Sequence, residues 1–115
     1  MKTTKDITKH ELSFLLWALQ ETGYYPKEKE NEKFLINEVW AENKHGIESI
    51  SFSIELQDSN TGAFIRQGGV IELEINVKRY VEAFIYPEKQ FVPQSVCVDW
   101  VFHVGLIDRL NFKNN

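Results

Sequence analysis

The sequence is short of the residues that build disulfides, membrane spans and nucleic-acid interfaces. Its 115 residues include one cysteine, Cys97, which excludes an intrachain disulfide and is typical of a reducing compartment. No apolar run reaches the roughly 18 residues that a membrane-spanning helix needs. Lysine and arginine (13) are outnumbered by aspartate and glutamate (17), which argues against a general nucleic-acid-binding protein.

A secretory signal pattern is also lacking. Residues 1–6 are mostly polar, and the first apolar cluster, Leu12–Leu19, lies inside a helix pattern. No cleavage site of small residues follows that cluster. We therefore expect a cytoplasmic protein.

Motifs for catalysis, metals and cofactors are missing as well. The three histidines lie in three separate elements, at His10, His45 and His103, without the spacing of a metal site. Cys97 lies between Val96 and Val98, the setting of a small buried hydrophobe rather than of a reactive thiolate. The glycines Gly62 and Gly68-Gly69 do not form a phosphate-binding loop. We expect no metal, no cofactor and no enzymatic activity.

The clearest predicted element is a helix over residues 8–22. Thr8 and Glu11 have the spacing of a capping box, and Ile7 and Leu12 that of a hydrophobic staple. Gly23 is a natural stop. Four leucines form an apolar stripe, at Leu12, Leu15, Leu16 and Leu19. Two aromatic residues, Phe14 and Trp17, are expected to widen the stripe, so that the helix lies across a sheet.

Residues 24–33 are predicted to form a charged, solvated connector. Residues 34–42 are ambiguous, and we favour a strand because Phe34, Ile36 and Trp40 alternate with other residues. A helix is the alternative, since Leu35 and Val39 lie four apart. His45-Gly46 then predicts a turn.

Two segments with strict alternation, 49–57 and 70–77, predict half-buried strands. The connection between them, 58–69, is long for a hairpin. It carries Ala63–Arg66, which is expected either to extend the strands or to form an exposed anchor loop.

The alternation of the second strand continues in phase to Tyr86, and we favour a hairpin turning at residues 76–79 over one 16-residue strand. A two- or four-residue loop would send Tyr80, Phe84 and Tyr86 to the core face. A three-residue loop or one bent strand would leave them on the face of Glu72 and Glu74.

Pro87 and Pro93 are expected to bracket a loop. For the segment 96–104 we favour a strand, because it is rich in β-branched and aromatic residues. A helix starting near Ser95 is the alternative, but it would be apolar nearly all round, which so small a domain could hardly bury. The tail, 106–115, is expected to add at most a short element.

These elements predict a single α+β domain over 1–115. Its fold class is one antiparallel sheet of four to five strands with the N-terminal helix packed on one face.

The negative charge lies in the middle of the sequence. Residues 34–77 hold two basic and seven acidic side chains, a net charge of −5. If 49–57 pairs with 70–77, simple registers place Glu55 directly opposite Glu72 or Glu74 on the open face of the sheet. Like charges so opposed destabilise a sheet, and a basic partner would relieve them. The alternative is a solvated sheet face whose charges protect against aggregation.

The expected function is therefore a small acidic module, an immunity or inhibitor protein that neutralises a basic protein such as a nuclease toxin. The predicted partner-binding residues are Glu55, Asp58, Phe64, Arg66, Glu72, Glu74 and Tyr80.

Two other functions remain open. One is a pocket between helix and sheet, with Asp99, His103 and Glu82 as polar groups and aromatic walls from Trp40, Trp100 and Tyr86. The other is a homodimer formed through a free sheet edge.

Overall fold

A computed structural model describes residues 7–44, 47–75 and 81–104. The predicted turn at His45-Gly46, the residues turning the second hairpin, Tyr80 and the tail 106–115 lie outside the described residues.

The protein is α+β, with one five-stranded antiparallel sheet, as the sequence predicts. The elements in chain order are α1 (Lys9–Glu21), β1 (Glu32–Lys44), β2 (Ile47–Asp58), β3 (Phe64–Ile75), β4 (Val81–Tyr86), β5 (Gln90–Val92) and α2 (Gln94–His103). The strands lie side by side in sequence order, β1-β2-β3-β4-β5. Among the described residues no helix is long and apolar enough to cross a membrane.

The start of α1 has the predicted capping box. The Glu11 amide donates to Thr8 Oγ1 at 3.1 Å, and the Thr8 amide donates to Glu11 Oε1 at 3.0 Å. The leucine stripe is buried, as are Ile7 and Gln20. Phe14 and Trp17 do not widen it: both are exposed, because a rotation of about 100° per residue places them on the far side of α1 from the leucines.

Both helices lie on one face of the sheet, which we call the core face. Alternate residues of β2, β3 and β4 point into it and form one cluster with the leucines of α1 and with Cys97, Trp100, Val101 and Val104 of α2. The sheet contributes Ile50, Phe52, Ile54, Ile71, Leu73, Ile75, Val81, Ala83, Ile85 and Val92. The strand predicted over 34–42 is present as part of β1.

The segment 96–104 was predicted to be a strand, and this prediction is wrong. Residues Gln94–His103 form α2. Burying so apolar a helix is possible because α2 contacts both α1 and β4. Trp100 also donates its Nε1–H to the Glu11 carbonyl at 2.8 Å. The preceding segment, predicted to be only a loop, contains the short strand β5, whose Val92 is buried.

The long connection between β2 and β3 extends the two strands, one of the two predicted outcomes. β3 begins at Phe64, and the remaining turn is held by the Asp58 carboxylate, whose Oδ1 accepts from the amides of Asn60 (2.8 Å) and Thr61 (2.9 Å). The residues of the extension are still exposed, with Phe64 57% accessible.

Register shifts shape the sheet, and one of them, between Leu56 and Gln57 of β2, lies near the hairpin end. A second lies in β1 between Ile36 and Val39, where the Glu38 amide donates to the buried Ser53 hydroxyl at 3.0 Å. A third lies opposite Ile54 and Glu55, where β3 passes through Gly68 and Gly69. Gly69 has φ +96°, and a Cβ there would collide with the Tyr86 carbonyl oxygen.

The second hairpin is confirmed. β3 and β4 pair odd residues with odd residues, from Ile75 opposite Val81 to Ile71 opposite Ile85. This register places Phe84 and Tyr86 on the same face as Glu72 and Glu74, the outcome predicted for a three-residue loop or a bent strand.

Candidate binding face of the sheet

The face of the sheet opposite the helices, which we call the open face, carries two neighbouring rows of paired side chains. The first row crosses all five strands and consists of Trp40, Ser51, Glu72, Phe84 and Phe91. The second row lies two residues further along each strand and consists of Glu42, Ser49, Glu74 and Glu82. Carboxylates and aromatic rings are thus the large side chains of the central open face.

Three carboxylates form an acidic cluster: Glu72, Glu74 and Glu82. Glu74 stands directly opposite Glu82, and Glu72 lies two residues from Glu74 on the same side of β3. Side chains directly opposed in an antiparallel pair have Cβ atoms about 5 Å apart. Burial raises the pKa of Glu74, and its hydrogen bond to Glu72 and the charges of Glu72 and Glu82 raise it further, against a lowering effect of Lys89. The cluster therefore concentrates negative charge on a partly buried surface.

Aromatic side chains frame this cluster. Phe84 and Phe91 pack edge to face with ring centroids 5.7 Å apart. Trp40 and Phe91 remain 43% and 49% exposed at the two ends of their row. Burial raises the pKa of Tyr86, and the charges of Glu72 and Glu74 raise it further, so this phenol also lies beside the cluster.

The predicted opposition of Glu55 to Glu72 or Glu74 is wrong. Glu55 pairs with Gln67, and Glu72 and Glu74 pair with Ser51 and Ser49. Glu55 lies four positions along β2 from Ser51, about 13 Å at ~3.3 Å per residue. Its carboxylate accepts from Asn37 Nδ2 at 3.0 Å and from Gln57 Nε2 at 3.3 Å. On the central open face the directly opposed carboxylates are instead Glu74 and Glu82.

The other predicted residues lie at the far end of the β2–β3 hairpin. Hydrogen bonds from the amides of Thr61 and Asn60 hold the pKa of Asp58 below its ordinary value. The Asp58 carboxylate therefore has a structural role in this turn. Phe64 is exposed, and Arg66 lines a polar cleft of about 420 Å³ with Tyr25 and Glu88. The structure therefore separates Glu55, Asp58, Phe64 and Arg66 from Glu72 and Glu74, and Tyr80 lies outside the described residues.

Four residues of the open face were not among the predicted binding residues: Trp40, Glu82, Phe84 and Phe91. Trp40 shares the even numbering of Phe34 and Ile36, which pack toward the core. The shift in β1 reverses the alternation, so Trp40 lies opposite Ser51 on the open face. Glu82 and Phe84 lie on the open face because the second hairpin pairs odd residues with odd residues. The sequence left this register as one of two alternatives.

The structure brings together only some of the residues proposed for an alternative pocket. Asp99, Trp100 and His103 line a groove of about 370 Å³ between the two helices, with Phe14, Trp17 and Ala18. Glu82 and Trp40 instead lie on the open face, on the other side of the sheet. The predicted combination of a histidine, two acids and three aromatic walls does not form.

Cys97 is a buried residue, as its setting predicts. Burial raises the pKa of its thiol to about 12, with a smaller contribution from the charge of Glu82. Such a thiol is a poor nucleophile at neutral pH. Across residues 7–44, 47–75 and 81–104, no group of three or more His, Cys, Asp or Glu side chains could hold a metal ion.

No protein-family model, no curated protein and no solved structure matches the chain. The chemistry of the open face is therefore the basis for assigning a function.

Proposed function

We propose that this protein binds a basic protein through the open face of its sheet and neutralises it, as an immunity protein does with a nuclease toxin. The observation that carries the proposal is the acidic cluster at Glu72, Glu74 and Glu82, framed by exposed aromatic rings. The proposal places the protein in the cytoplasm, where the single thiol of Cys97 stays reduced.

Electrostatics support a basic partner. Glu74 and Glu82 oppose each other across β3 and β4, which costs the free protein stability. Lysine or arginine side chains of a partner would relieve that repulsion on binding. The net charge of −4 adds a long-range attraction that speeds association with a basic surface.

The exposed rings support a protein partner in particular. Trp40 and Phe91 lie at opposite ends of one row, with Glu72 between them. Aromatic residues are enriched at the centres of protein interfaces, and tryptophan is among the most frequent hot-spot residues. Arginine side chains also stack on aromatic faces, so the same surface suits a basic partner.

The proposal is tested by affinity capture from the native source at low salt, followed by a salt wash series and mass spectrometry. We expect the wild-type protein to retain one basic protein in stoichiometric amount and to release it as salt rises. Trp40→Ala should reduce the retained amount at least about tenfold, the effect of a hot spot. Trp17→Ala, which removes an exposed tryptophan from the other side of the sheet, is the matched control and should retain as much as the wild type.

The proposal is contradicted if the wild-type protein retains no basic protein. Equal loss of the partner from the Trp40 and Trp17 variants would also contradict it, because binding would then not depend on the open face. Homodimerisation through a sheet edge stays a separate prediction, tested by the concentration dependence of the mass in solution.

A further inference from the structure

The groove between α1 and α2 lies on the opposite side of the sheet from the open face. Its volume is about 370 Å³, within the range of small-molecule sites. Phe14, Trp17 and Ala18 of α1 and Asp99, Trp100 and His103 of α2 line it. Residues three and four apart on a helix share a side, so each helix presents its own lining residues together.

Two of the three aromatic walls are fixed by contacts within the protein. Trp100 is 2% exposed and donates its indole N–H to the Glu11 carbonyl at 2.8 Å. Phe14 packs edge to face between His103, at 4.8 Å between ring centroids, and His10, at 5.0 Å. The groove is therefore preorganised on two helices rather than formed by loops.

Trp17 completes the wall but is not part of the core. Trp17 is 60% exposed, the highest value among the large hydrophobic residues that the structure describes. The hydrophobic core does not account for a tryptophan at this position.

The groove carries an acidic side chain. Asp99 is the one carboxylate among the lining residues, and among the described residues it makes no ion pair. No lysine or arginine of residues 7–44, 47–75 or 81–104 lines the groove. Aromatic faces carry partial negative charge and attract cations, tryptophan most strongly. An apolar wall with one carboxylate thus complements a positive charge carried on a hydrocarbon group.

We propose that this groove binds a small organic cation, an alkylammonium or quaternary ammonium group seated against Trp17, Trp100 and Phe14 with Asp99 as its counter-ion. This site is separate from the proposed protein-binding face, so either proposal can fail while the other holds.

Choline is the probe, and 3,3-dimethylbutan-1-ol is its uncharged counterpart of nearly the same shape. The indole N–H resonances of ¹⁵N-labelled protein report binding at each tryptophan separately. We expect saturable shifts of the Trp17 and Trp100 signals with choline and no shift of Trp40. We expect the alcohol to bind about five- to tenfold more weakly, the contribution of cation–π contacts at a partly exposed site.

Variants test the two kinds of contact. Asp99→Asn should weaken choline binding about threefold or more and leave the affinity for the alcohol unchanged. Trp17→Ala should weaken it at least about fivefold, and it changes an exposed side chain, so the fold is retained. Trp40→Ala is the matched control and should bind choline as the wild type does.

Three results would overturn the proposal. The first is the absence of a saturable shift in the millimolar range with choline. The second is equal binding of choline and the alcohol, which would make the groove merely apolar. The third is unchanged choline binding by Asp99→Asn or Trp17→Ala, with native melting temperatures showing that both variants are folded.

Discussion

Glu82 lies directly opposite Glu74 in the β3–β4 pair, and repulsion between the two carboxylates destabilises the free protein. Removing one charge should therefore help folding. We predict that Glu82→Gln raises the free energy of unfolding by about 0.2–0.5 kcal/mol at low salt, with a smaller gain at high salt because ions screen the repulsion. Chemical denaturation at the two salt concentrations measures this, and Glu30→Gln, in the exposed connector, is the control expected to change nothing.

The same pair predicts a pH dependence of stability. Folding raises the pKa of Glu74 above its ordinary value of 4.5 through burial and the neighbouring charges of Glu72 and Glu82. Between the unfolded and the folded pKa the folded state holds more protons, so this residue's contribution to stability is full below the unfolded pKa and declines as pH rises through the folded pKa. Denaturation of wild type and Glu74→Gln across this pH range should show the decline in the wild type only; parallel pH profiles would contradict the assignment.

At the scale of the elements, the shift at Gly68-Gly69 sets which side chains of β2 and β3 oppose each other. Gly69→Ala should destabilise the protein by about 2 kcal/mol or more, because the positive φ is strained and the new Cβ meets the Tyr86 carbonyl. Gly62 also has a positive φ, but open space surrounds it. Gly62→Ala is thus the matched control at about 1 kcal/mol, and equal losses in thermal denaturation would show that the close approach to Tyr86 is unimportant.

The contact between the two helices can be tested through its hydrogen bond. Trp100→Phe removes the donor to the Glu11 carbonyl and part of a buried ring, at an expected cost of about 1–3 kcal/mol. Trp17→Phe changes an exposed ring on the neighbouring helix and should stay within about 0.5 kcal/mol of the wild type. Comparable losses in the two variants would contradict the packing of α2 on α1.

Local signals in the sequence predicted α1, β2, β3 and the second hairpin, and missed α2. The capping box at Thr8 and the strict alternation of β2 are properties of neighbouring residues, which the sequence displays directly. The residues of α2 favour a strand by their own propensities, and tertiary packing on β4 and α1 overrides those propensities. A helix as apolar as α2 can be buried only if α1 and the sheet both cover it. That arrangement depends on residues distant in the sequence, so the local pattern does not show it.

The candidate site was predictable only where it does not depend on register. Glu72 and Glu74 alternate with buried residues, so the sequence placed them correctly on the open face. The sequence predicted Glu55 as the third carboxylate of the cluster, but that residue is Glu82. One register shift moves Glu55 opposite Gln67, and the pairing of β4 brings Glu82 opposite Glu74. Shifts of this kind come from contacts between distant residues, such as the Tyr25 hydroxyl that donates to the Gly68 carbonyl at 2.6 Å.

For the molecule as a whole, the sheet separates two surfaces of different character. The helices cover one face and leave a groove between them, while the other face presents the acidic cluster among exposed rings. The two exposed tryptophans, Trp17 and Trp40, lie on these separate surfaces. Trp17→Ala is therefore the control for the open face, and Trp40→Ala is the control for the groove.

In the proposed function, the acidic cluster steers a basic partner to the open face. The most direct measurement is the association rate of the captured partner as a function of salt, with the wild type and two variants that each remove three negative charges. One is Glu72→Gln/Glu74→Gln/Glu82→Gln on the open face, and the other is Glu21→Gln/Glu28→Gln/Glu30→Gln in α1 and the connector.

We predict that at low salt the open-face variant associates about tenfold or more slowly than the wild type and loses most of its salt dependence. The connector variant should stay within roughly twofold of the wild-type rate, because its charges lie outside the interface. Equal rates for the two variants would contradict the claim, since net charge alone, and not the arrangement of Glu72, Glu74 and Glu82, would then govern binding.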